Sequence, residues 1–437
     1  MPTTRPQGLH AKRTTTLRKT VIATALLTLG TTLVAANFMI GEQHIAHDVA
    51  HLYGVNDPQF MQSMGVLLGP AILEGNHAEQ LENGKEIFPA MLKAIHGARK
   101  TISFETYIYW SGEIGQAFAQ ALAERARAGV KTHVLLDWVG SAKMDESLLS
   151  AMRDAGVEVE RYHKPSWYTL TRMNNRTHRK LLVVDGQVAF TGGVGIADEW
   201  TGDAQDPEHW RDSHFRIEGP VASQFQAVFE DNWAKATGRV LHGSDYFPQV
   251  APRGNVKAQM FSSSPSGGAD SMQLMYLLSI AAAEKSIRLA NAYFVPDELS
   301  IRALIAARAR GVKIQIITPG PHTDTEIVRR ASRARWGELL AAGVEIREYA
   351  PTMYHCKVMI VDELLVSVGS TNFDNRSFRL NDEANLNIYD HAFAAKASAL
   401  FDKDLARSTA ITFEEWQARP LQEKAIEHFL SLFGAQL

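Results

Sequence analysis

The sequence has a single cysteine, Cys356, and only a slight excess of acidic over basic residues. One cysteine excludes both a disulfide framework and a zinc cluster built on thiolates. Proteins that bind nucleic acid through their overall charge are normally basic, whereas this chain has a formal net charge of −3 at pH 7, so we expect no nucleic-acid partner. After residue 41 the chain also lacks an uncharged apolar run long enough to cross a bilayer.

One such run stands at the N-terminus. Residues 20–41 carry no charge, and the charged residues before them are all basic: Arg5, Lys12, Arg13, Arg18 and Lys19. A cleaved signal peptide is one interpretation, since Val34-Ala35-Ala36 offers small residues for cleavage. We favour an uncleaved membrane anchor, because the run is long for a signal peptide. In either case the basic flank stays in the cytoplasm and the remainder is exported.

One unit of the sequence occurs twice. The stretches that start near Ala94 and Ala281 both predict a helix end, a short strand, an aromatic turn, an amphipathic helix and a buried strand. The similarity continues in AGVEVERY and AGVEIREY, and then in HRKLLVVDGQVAFTGG and HCKVMIVDELLVSVGS. Repeats of this length are too long for solenoid units, so they predict two homologous halves. The predicted regions are an N-terminal region, a preamble, a first half and a second half, at residues 1–41, 42–82, 83–247 and 248–437.

The alternation of strands and helices in each half predicts an α/β fold. In the first half LLVVDGQVAFTG adds two strand-like runs around an Asp-Gly pair, which is the pattern of a β-hairpin. A hairpin is antiparallel, so we expect each half to have a mixed β-sheet flanked by helices. We also expect the two halves to be related by pseudo-twofold symmetry.

Each half contains the motif H-x-K-x-x-x-x-D, in which x is any residue. The motif residues are His178, Lys180 and Asp185 in the first half and His355, Lys357 and Asp362 in the second. Residues two apart on a strand face the same side, so each histidine projects together with its lysine. The apolar run that follows fits a central strand covered on both faces. Each basic pair therefore stands at the start of a rigid buried strand, which is good support for a site.

Two histidines and two lysines would converge on one anionic group if the halves pack symmetrically, and phosphate is the natural candidate. The lysines would neutralise its oxygens and stabilise the charge of the transition state. One neutral histidine can attack phosphorus and form a phosphohistidine, while the other, protonated, can donate to the departing oxygen. This chemistry needs no metal ion and no other cofactor, because the lysines supply the positive charge.

The pair of motifs makes the chain similar to the phospholipase D superfamily, whose signature is two H-x-K-x-x-x-x-D motifs, and within it to the bacterial cardiolipin synthases. The resemblance runs from about Asn83 to the C-terminus. It implies two phospholipase D-like half-domains and a covalent phosphatidyl-histidine intermediate. The first-half histidine is usually the nucleophile in this family, which implies that His178 attacks and His355 is the acid.

The resemblance also implies supporting carboxylates. An acid behind each histidine fixes its tautomer and raises its basicity. We expect Glu383, in the sequence NDEAN, to serve His355, and we choose Asp212, in HWRDSHF, to serve His178. The two motif aspartates lie at strand ends, where we expect them to hold structure rather than transfer protons.

The halves differ after the motif. The family pattern of G-S-x-x-N-like residues is present in the second half, which supplies Ser370 and Asn372. The first half departs from it, with Gly193 after Gly192 and with Gly195 where Asn372 stands in the second. One phosphate-contacting amide is therefore missing, so the halves cannot contribute equally.

Three further features need an interpretation. Glu105, which follows a strand amid aromatic residues, either lines the site or is a buried structural partner, and both stay open. Cys356 lies inside the second motif but points away from its histidine and lysine, which is typical of a small core residue. The insertion at residues 161–177 is basic and aromatic, which favours lipid contact, although a surface loop over the core is the alternative.

We therefore expect a phosphatidyltransferase that makes cardiolipin, in which phosphatidylglycerol attacks the phosphatidyl-enzyme after glycerol has left. Phosphatidylethanolamine could replace one phosphatidylglycerol. Hydrolysis to phosphatidic acid is the alternative, because the choice of acceptor depends on water exclusion and pocket shape. A nuclease of the same superfamily and a non-catalytic scaffold are less favoured. The expected location is the bacterial inner membrane, with a single N-terminal anchor and the catalytic domain on the periplasmic, outer face.

Overall fold

The computed structural model describes residues 8–39, 45, 47–164, 175–265 and 270–431. The chain divides into two compact units, one of Met1–His44 with Pro165–Asn174 and one of Ile45–Lys164 with Asn175–Leu437. In the first unit the structure describes one helix, α1 (Gly8–Met39). The predicted lipid-contacting insertion lies largely outside the described residues, because residues 165–174 are not among them.

The expected membrane anchor is not supported. In the part of the chain that the structure describes, no helix is both long and apolar enough to cross a membrane. Helix α1 has 32 residues, so its length is sufficient. Its uncharged part carries hydroxyl groups that lower its apolar character, at Thr20, Thr24, Thr28, Thr31 and Thr32. The prediction of a single N-terminal anchor was therefore wrong, and with it the inner-membrane location that depended on it.

The second unit is built on a large β-sheet flanked by helices. Its strands are β1 (Leu73–Glu82), β2 (Thr101–Thr106), β3 (Lys131–Asp137), β4 (Glu158–Tyr162), β5 (Arg176–Thr177), β6 (Leu181–Val184), β7 (Val188–Gly192), β8 (Ser213–Glu218), β9 (Val256–Ser263), β10 (Ser286–Asn291), β11 (Phe294–Val295), β12 (Lys313–Pro319), β13 (Glu345–Tyr349), β14 (Lys357–Val361), β15 (Leu365–Gly369), β16 (Phe373–Asp374), β17 (Asn381–Tyr389) and β18 (Ser408–Ile411). Its helices are α2 (Pro58–Leu67), α3 (Asn83–Gly97), α4 (Glu113–Arg127), α5 (Glu146–Asp154), α6 (Ala222–Thr237), α7 (Ser271–Ala282), α8 (Glu298–Ala309), α9 (Glu326–Ala334), α10 (Gly337–Ala341), α11 (Asn375–Arg379), α12 (His391–Ala406), α13 (Phe413–Gln417) and α14 (Leu421–Ser431).

The two parts of the sheet have the same strand order. From the centre outwards, one part runs β1-β8-β7-β6-β2-β3-β4 and the other runs β9-β17-β15-β14-β10-β12-β13. The central strands β1 and β9 pair antiparallel and join the two parts. Strands β2, β3 and β4 of one part are parallel, as are β10, β12 and β13 of the other, and the other neighbours in both runs pair antiparallel. Strand β18 adds an antiparallel strand beyond β13. The predicted fold class, with a mixed sheet in each half, is confirmed, and strand β1 occupies part of the preamble for which no element was predicted.

The apolar runs that follow the motif histidines form β6 and β14, near the middle of each part. Successive residues of β6 alternate between two hydrophobic clusters, and those of β14 do the same, so both strands are covered on both faces. Burying each of these Leu, Ile, Val or Met side chains contributes roughly 1.5–3 kcal/mol relative to an exposed one. The motif residues at the head of each strand therefore stand on a stiff support.

Tight hairpins end both motif strands. Asp185 and Gly186 join β6 to β7 with φ angles of 54° and 62°, and Asp362 and Glu363 join β14 to β15 with φ angles of 52° and 55°. Two successive residues with positive φ are typical of a type I′ turn, whose twist matches that of the flanking strands. The hairpin predicted from the Asp-Gly pair is confirmed.

Candidate active site

The two motif histidines lie at the entrances of β6 and β14, and each is bonded to the opposite half. The His178 N–H donates to the Asp382 carbonyl at 2.9 Å, where β5 pairs in parallel with the start of β17. The His355 N–H donates to the Arg211 carbonyl at 2.8 Å. Both histidines are buried, with exposed fractions of 8% and 6%. These backbone bonds bring both motifs to the boundary between the halves.

Each histidine is oriented by a carboxylate from the opposite half. Nδ1 of His178 lies 3.0 Å from Oε1 of Glu383, and Nδ1 of His355 lies 2.8 Å from Oδ2 of Asp212. The sequence therefore predicts the right two carboxylates but assigns them to the wrong histidines. The backbone gives the reason: because His178 is bonded to Asp382, the next residue along β17 comes to lie beside its ring.

Both orienting carboxylates are ionised. Burial raises the pKa of Asp212 and Glu383, but the hydrogen bonds from the adjacent imidazoles and the charges of the motif lysines outweigh it and hold both pKa values below the ordinary range. An ionised carboxylate can only accept, so each imidazole donates from Nδ1 and keeps its lone pair on Nε2. Burial lowers the pKa of His178 to about 4, and burial together with the Lys357 charge lowers the pKa of His355. Both rings are therefore neutral at pH 7.

The motif lysines bring positive charge beside both rings. Nζ of Lys180 donates to the His178 carbonyl and Nζ of Lys357 donates to the His355 carbonyl, each at 2.7 Å. In addition, Nζ of Lys357 lies 3.1 Å from both ring nitrogens of His355. Burial lowers the pKa of Lys180 to about 7 and also lowers that of Lys357. The Lys357 charge also contributes to the lowered pKa values of His178 and Lys180 in the other motif.

The motif aspartates lie away from this cluster, at the far ends of the motif strands. The Asp185 carboxylate accepts the backbone N–H groups of residues 99, 100 and 101 at distances between 2.7 and 3.2 Å. The Asp362 carboxylate accepts those of residues 284, 285 and 286, each at 2.8 Å. Each aspartate thus fixes the chain where it enters β2 or β10, which fits the structural role that the sequence predicts.

The supporting residues take separate positions. The Ser370 hydroxyl donates to Glu383, and the buried Asn372 donates its backbone N–H to the Ser377 hydroxyl at 3.1 Å. Glu105 is fully buried and accepts hydrogen bonds from the Thr177 hydroxyl and, at 2.8 Å, from Asn232. Burial raises the pKa of Glu105 to about 7. Its contact with Thr177, the residue before His178, favours the interpretation of Glu105 as a buried structural partner.

Three aromatic residues at the site are missed by the sequence reasoning. The Tyr107 ring centroid is 5.3 Å from that of His178, and those of Trp200 and Trp210 are 5.3 and 5.6 Å from that of His355. Nε1 of Trp200 also donates to Asp212 at 3.0 Å. Tyr107 occurs at the same place in the repeat as Tyr293, so the repeat carries a signal for it, whereas no comparable signal marks the two tryptophans.

Cys356 is buried on the opposite side of its strand from His355 and Lys357, as the sequence predicts. Its Sγ lies 3.8 Å from the Ser213 hydroxyl, and burial raises the pKa of the thiol to about 12. Among the described residues, no group of three or more His, Cys, Asp and Glu side chains is arranged to hold a metal ion.

Comparison with known proteins identifies relatives across most of the chain. The family model described as cardiolipin synthase, PLD-like domain, matches residues 91–233 and 276–405. A cardiolipin synthase of Geobacillus sp. (strain WCH70) is 36% identical over 360 residues, which are 82% of this chain and 72% of that protein. The major cardiolipin synthase of Bacillus subtilis (strain 168) is 33% identical over 351 residues, which are 80% of this chain and 73% of that protein.

A solved structure shares the fold at lower sequence identity. The phosphatidylserine synthase of Haemophilus influenzae Rd KW20 superposes with a TM-score of 0.61 over 86% of this chain and 97% of that one, at 14% identity. Because the family model matches more than half of the residues and the relatives match over most of their own length, the family assignment does not depend on the fold alone. The chain belongs to the cardiolipin synthase family of proteins with PLD-like domains, a family of phosphatidyltransferase enzymes.

Proposed function

We propose that this chain is a cardiolipin synthase that transfers a phosphatidyl group from one phosphatidylglycerol to another through a phosphatidyl-histidine intermediate. The observation that carries the proposal is the pair of buried, neutral histidines, each with an ionised carboxylate on Nδ1 and a lysine beside it. The names of the curated relatives support the product, because they are cardiolipin synthases.

In the first step, Nε2 of His178 attacks the phosphorus of the donor, and the bond between phosphorus and the glycerol oxygen breaks. His355 gives a proton to that oxygen, so free glycerol leaves. His355 is neutral in the free enzyme, and the negative charge of the bound phosphodiester favours its protonation. The two lysines stabilise the additional negative charge that develops on the phosphoryl oxygens.

In the second step, a hydroxyl of the second phosphatidylglycerol attacks the phosphorus, and the bond between phosphorus and Nε2 of His178 breaks. His355, neutral after the first step, takes the proton of the attacking hydroxyl. The product is cardiolipin, and both histidines return to their starting state. The same histidine thus acts as acid and then as base, as microscopic reversibility requires.

The contacts of the lysines support the choice of His178 as nucleophile. The Lys357 ammonium lies within hydrogen-bonding distance of Nε2 of His355, at 3.1 Å. Because Nζ is equally far from Nδ1, the ammonium lies over the His355 ring, where its positive charge withdraws the electron density that Nε2 would offer to phosphorus. The ammonium of Lys180 donates to the carbonyl of His178 instead.

The test is incubation of the full-length protein with phosphatidylglycerol labelled in its acyl chains, in detergent micelles, with and without a chelator. We expect labelled cardiolipin and free glycerol under both conditions. Phosphatidic acid as the sole product would establish the hydrolase instead, and cleavage of DNA without lipid turnover would contradict both. A reaction that is stopped during turnover with alkaline denaturant should contain the covalent intermediate. Mass spectrometry of its peptides should then show the added phosphatidyl mass on the peptide that contains His178.

A further inference from the structure

Asp404 is a buried carboxylate that contacts the residues preceding both His355 and Asp212. It lies on α12 in the second half, with an exposed fraction of 5%. Its Oδ1 accepts a hydrogen bond from Nε of Arg211 at 3.1 Å, and its Oδ2 lies 3.0 Å from Nη2 of the same guanidinium. Oδ2 also accepts a hydrogen bond from the Tyr354 hydroxyl at 3.1 Å. One carboxylate is therefore bonded to the residue before the orienting aspartate and to the residue before the histidine.

The two residues that this carboxylate joins form an isolated backbone bridge between the halves. Arg211 and Tyr354 pair in parallel, outside the strands of the sheet. The Arg211 N–H donates to the Met353 carbonyl at 2.9 Å, and the Arg211 carbonyl accepts a hydrogen bond from the His355 N–H at 2.8 Å. These two hydrogen bonds hold the segment of His355 against the segment that carries its orienting carboxylate, which comes from the other half.

The corresponding contact at His178 is more extended. Strand β5 pairs with β17 over two residue pairs, one of which is Thr177 with Asp382. The Thr177 hydroxyl donates to Glu105, whereas the Asp382 carboxylate lies 3.0 Å from Nε2 of His163, so side chains from separate segments hold the two partners. The single bridge at the second motif therefore depends more on the carboxylate that joins its two side chains.

The equivalent helix of the first half has an amide in the same place. Helices α6 and α12 follow equivalent strands of the sheet, β8 and β17, and their sequences FEDNWA and FDKDLA align Asn232 with Asp404. Nδ2 of Asn232 lies 3.3 Å from the hydroxyl of Thr177 and donates to Glu105 at 2.8 Å. Both helices thus reach the residue before a motif histidine, but in the second half the helix residue also holds the segment of the orienting carboxylate.

The pair of Asp404 with Arg211 specifies a geometry more than it stabilises the fold. Their side chains are 7% and 4% exposed, and apolar residues of similar volume stabilise such a buried position as well or better. The guanidinium of Arg211 also donates to the Asp212 carbonyl and, at 3.1 Å, to the Ser213 hydroxyl. Asp404 thereby fixes the direction of a side chain that is itself bonded to the backbone of the orienting aspartate.

We propose that Asp404 is a positioning residue for the proton transfers of His355, because it fixes the segment of His355 against that of Asp212. This inference rests on the proposed function, in which His355 protonates the leaving glycerol and then deprotonates the acceptor. Proton transfer requires Nε2 of His355 to be within hydrogen-bonding distance of these oxygens. A displacement of about 1 Å at such a group lowers a rate on the order of 100-fold. Attack by His178 does not depend on this bridge.

The experiment compares a reaction that needs the acid with one that does not. The lipid donor must receive a proton on its departing glycerol oxygen, whereas a nitrophenyl phosphodiester releases nitrophenolate without one. The rate constant of the nitrophenol burst reports the attack by His178. The amplitude of the burst counts the active sites, so lipid turnover can be expressed per active site and is unaffected by partial loss of folded protein.

Asp404→Asn keeps the shape of the side chain but removes the charge that pairs with Arg211. It should lower lipid turnover per active site about 10- to 100-fold and leave the rate constant of the burst within about twofold of the wild-type value. Tyr354→Phe removes one of the two links and should cause a smaller loss of the same kind, about three- to tenfold. The matched control is Asp402→Asn on the same helix, because Asp402 is exposed, 3.5 Å from Arg288, and should leave both rates unchanged.

An equal decrease of lipid turnover and of the burst rate constant in Asp404→Asn would overturn the inference, because the carboxylate would then support the whole site. Unchanged lipid turnover in this variant would overturn it as well, and in both cases the proposed function would stand. If Asp404→Asn does not fold, Tyr354→Phe decides the question by the same comparison, since it keeps the buried ion pair. If the wild-type protein turns over no lipid donor, the proposed function fails and this inference fails with it.

Discussion

The two motif histidines occupy the same position on equivalent strands but have different surroundings. His178 contacts Tyr107, whereas His355 contacts two tryptophans, Trp200 and Trp210. The orienting carboxylates cross between the halves, so each histidine takes its environment from both. The two motifs by themselves supply two equivalent histidines, and the residues around each histidine make the two chemically different.

The hydrogen bonds that the two carboxylates accept explain why the halves differ in sequence. Glu383 accepts from the hydroxyl of Ser370, and Asp212 accepts from the indole of Trp200. A Cβ atom at Gly193, which corresponds to Ser370, would lie 2.3 Å from Oδ1 of Asp212. A serine therefore cannot stand there without displacing the carboxylate, and a donor from another segment replaces it.

Removal of each histidine should separate their roles most strongly. His178→Ala removes the nucleophile, so turnover of every phosphodiester should fall by about 10⁴-fold or more. His355→Ala removes the acid, so turnover of the lipid donor should fall about 10²- to 10⁴-fold. A nitrophenyl phosphodiester needs no proton on its leaving group, so His355→Ala should still release a burst of nitrophenol, measured by absorbance.

The burst in His355→Ala should be absent in His178→Ala, and the midpoint of thermal unfolding should show that both variants are folded. A burst in His178→Ala and none in His355→Ala would reverse the assignment of the two roles.

Replacement of the carboxylates that orient the histidines across the two halves should have the second-largest effect on turnover. Glu383→Gln and Asp212→Asn should each slow turnover of the lipid donor by roughly 10²- to 10⁴-fold, because the neutral amide no longer fixes the Nδ1–H tautomer. Since Asp212 serves His355, its defect should be relieved in the burst of nitrophenol, whereas that of Glu383→Gln should persist. The opposite pattern would support the pairing within each half that the sequence suggests.

Local patterns predicted the strands and the hairpins, but not this crossing. The apolar run of β6, its Asp-Gly turn and the position of His178 before it all lie within a few residues of sequence. The partner of His178 depends on the pairing of β5 with β17, segments 205 residues apart in sequence, and no short pattern encodes that register. Trp200 was missed for the same reason, since its indole reaches the site from a separate short 3₁₀ helix, Asp198–Trp200.

The two motif lysines should cause the activity to decrease at alkaline pH. Burial lowers the pKa of Lys180 to about 7, so above this pH the free enzyme loses the positive charge that stabilises the transition state. We expect kcat/KM to fall about tenfold for each pH unit beyond this limit. Lys180→Arg should lower the maximum but move the decrease to higher pH, because arginine stays protonated.

The pH profile of kcat/KM, measured at constant ionic strength, checks this limit. Lys396→Arg is the matched control, since Lys396 is exposed on α12 and its replacement should leave the profile as it is. A limit that stays in place in Lys180→Arg would show that another group sets it.

The smallest expected effect comes from the two donors that hold the carboxylates. Ser370→Ala and Trp200→Phe each remove one hydrogen bond to a carboxylate, which should reduce turnover of the lipid donor about tenfold. If the halves differ only in which side chain donates a hydrogen bond to the carboxylate, each loss of turnover should depend on the histidine that the carboxylate orients. In the burst of nitrophenol, the loss in Trp200→Phe should therefore be relieved, and the loss in Ser370→Ala should remain. Equal relief in both variants would mean that these donors stabilise the site as a whole rather than one histidine each.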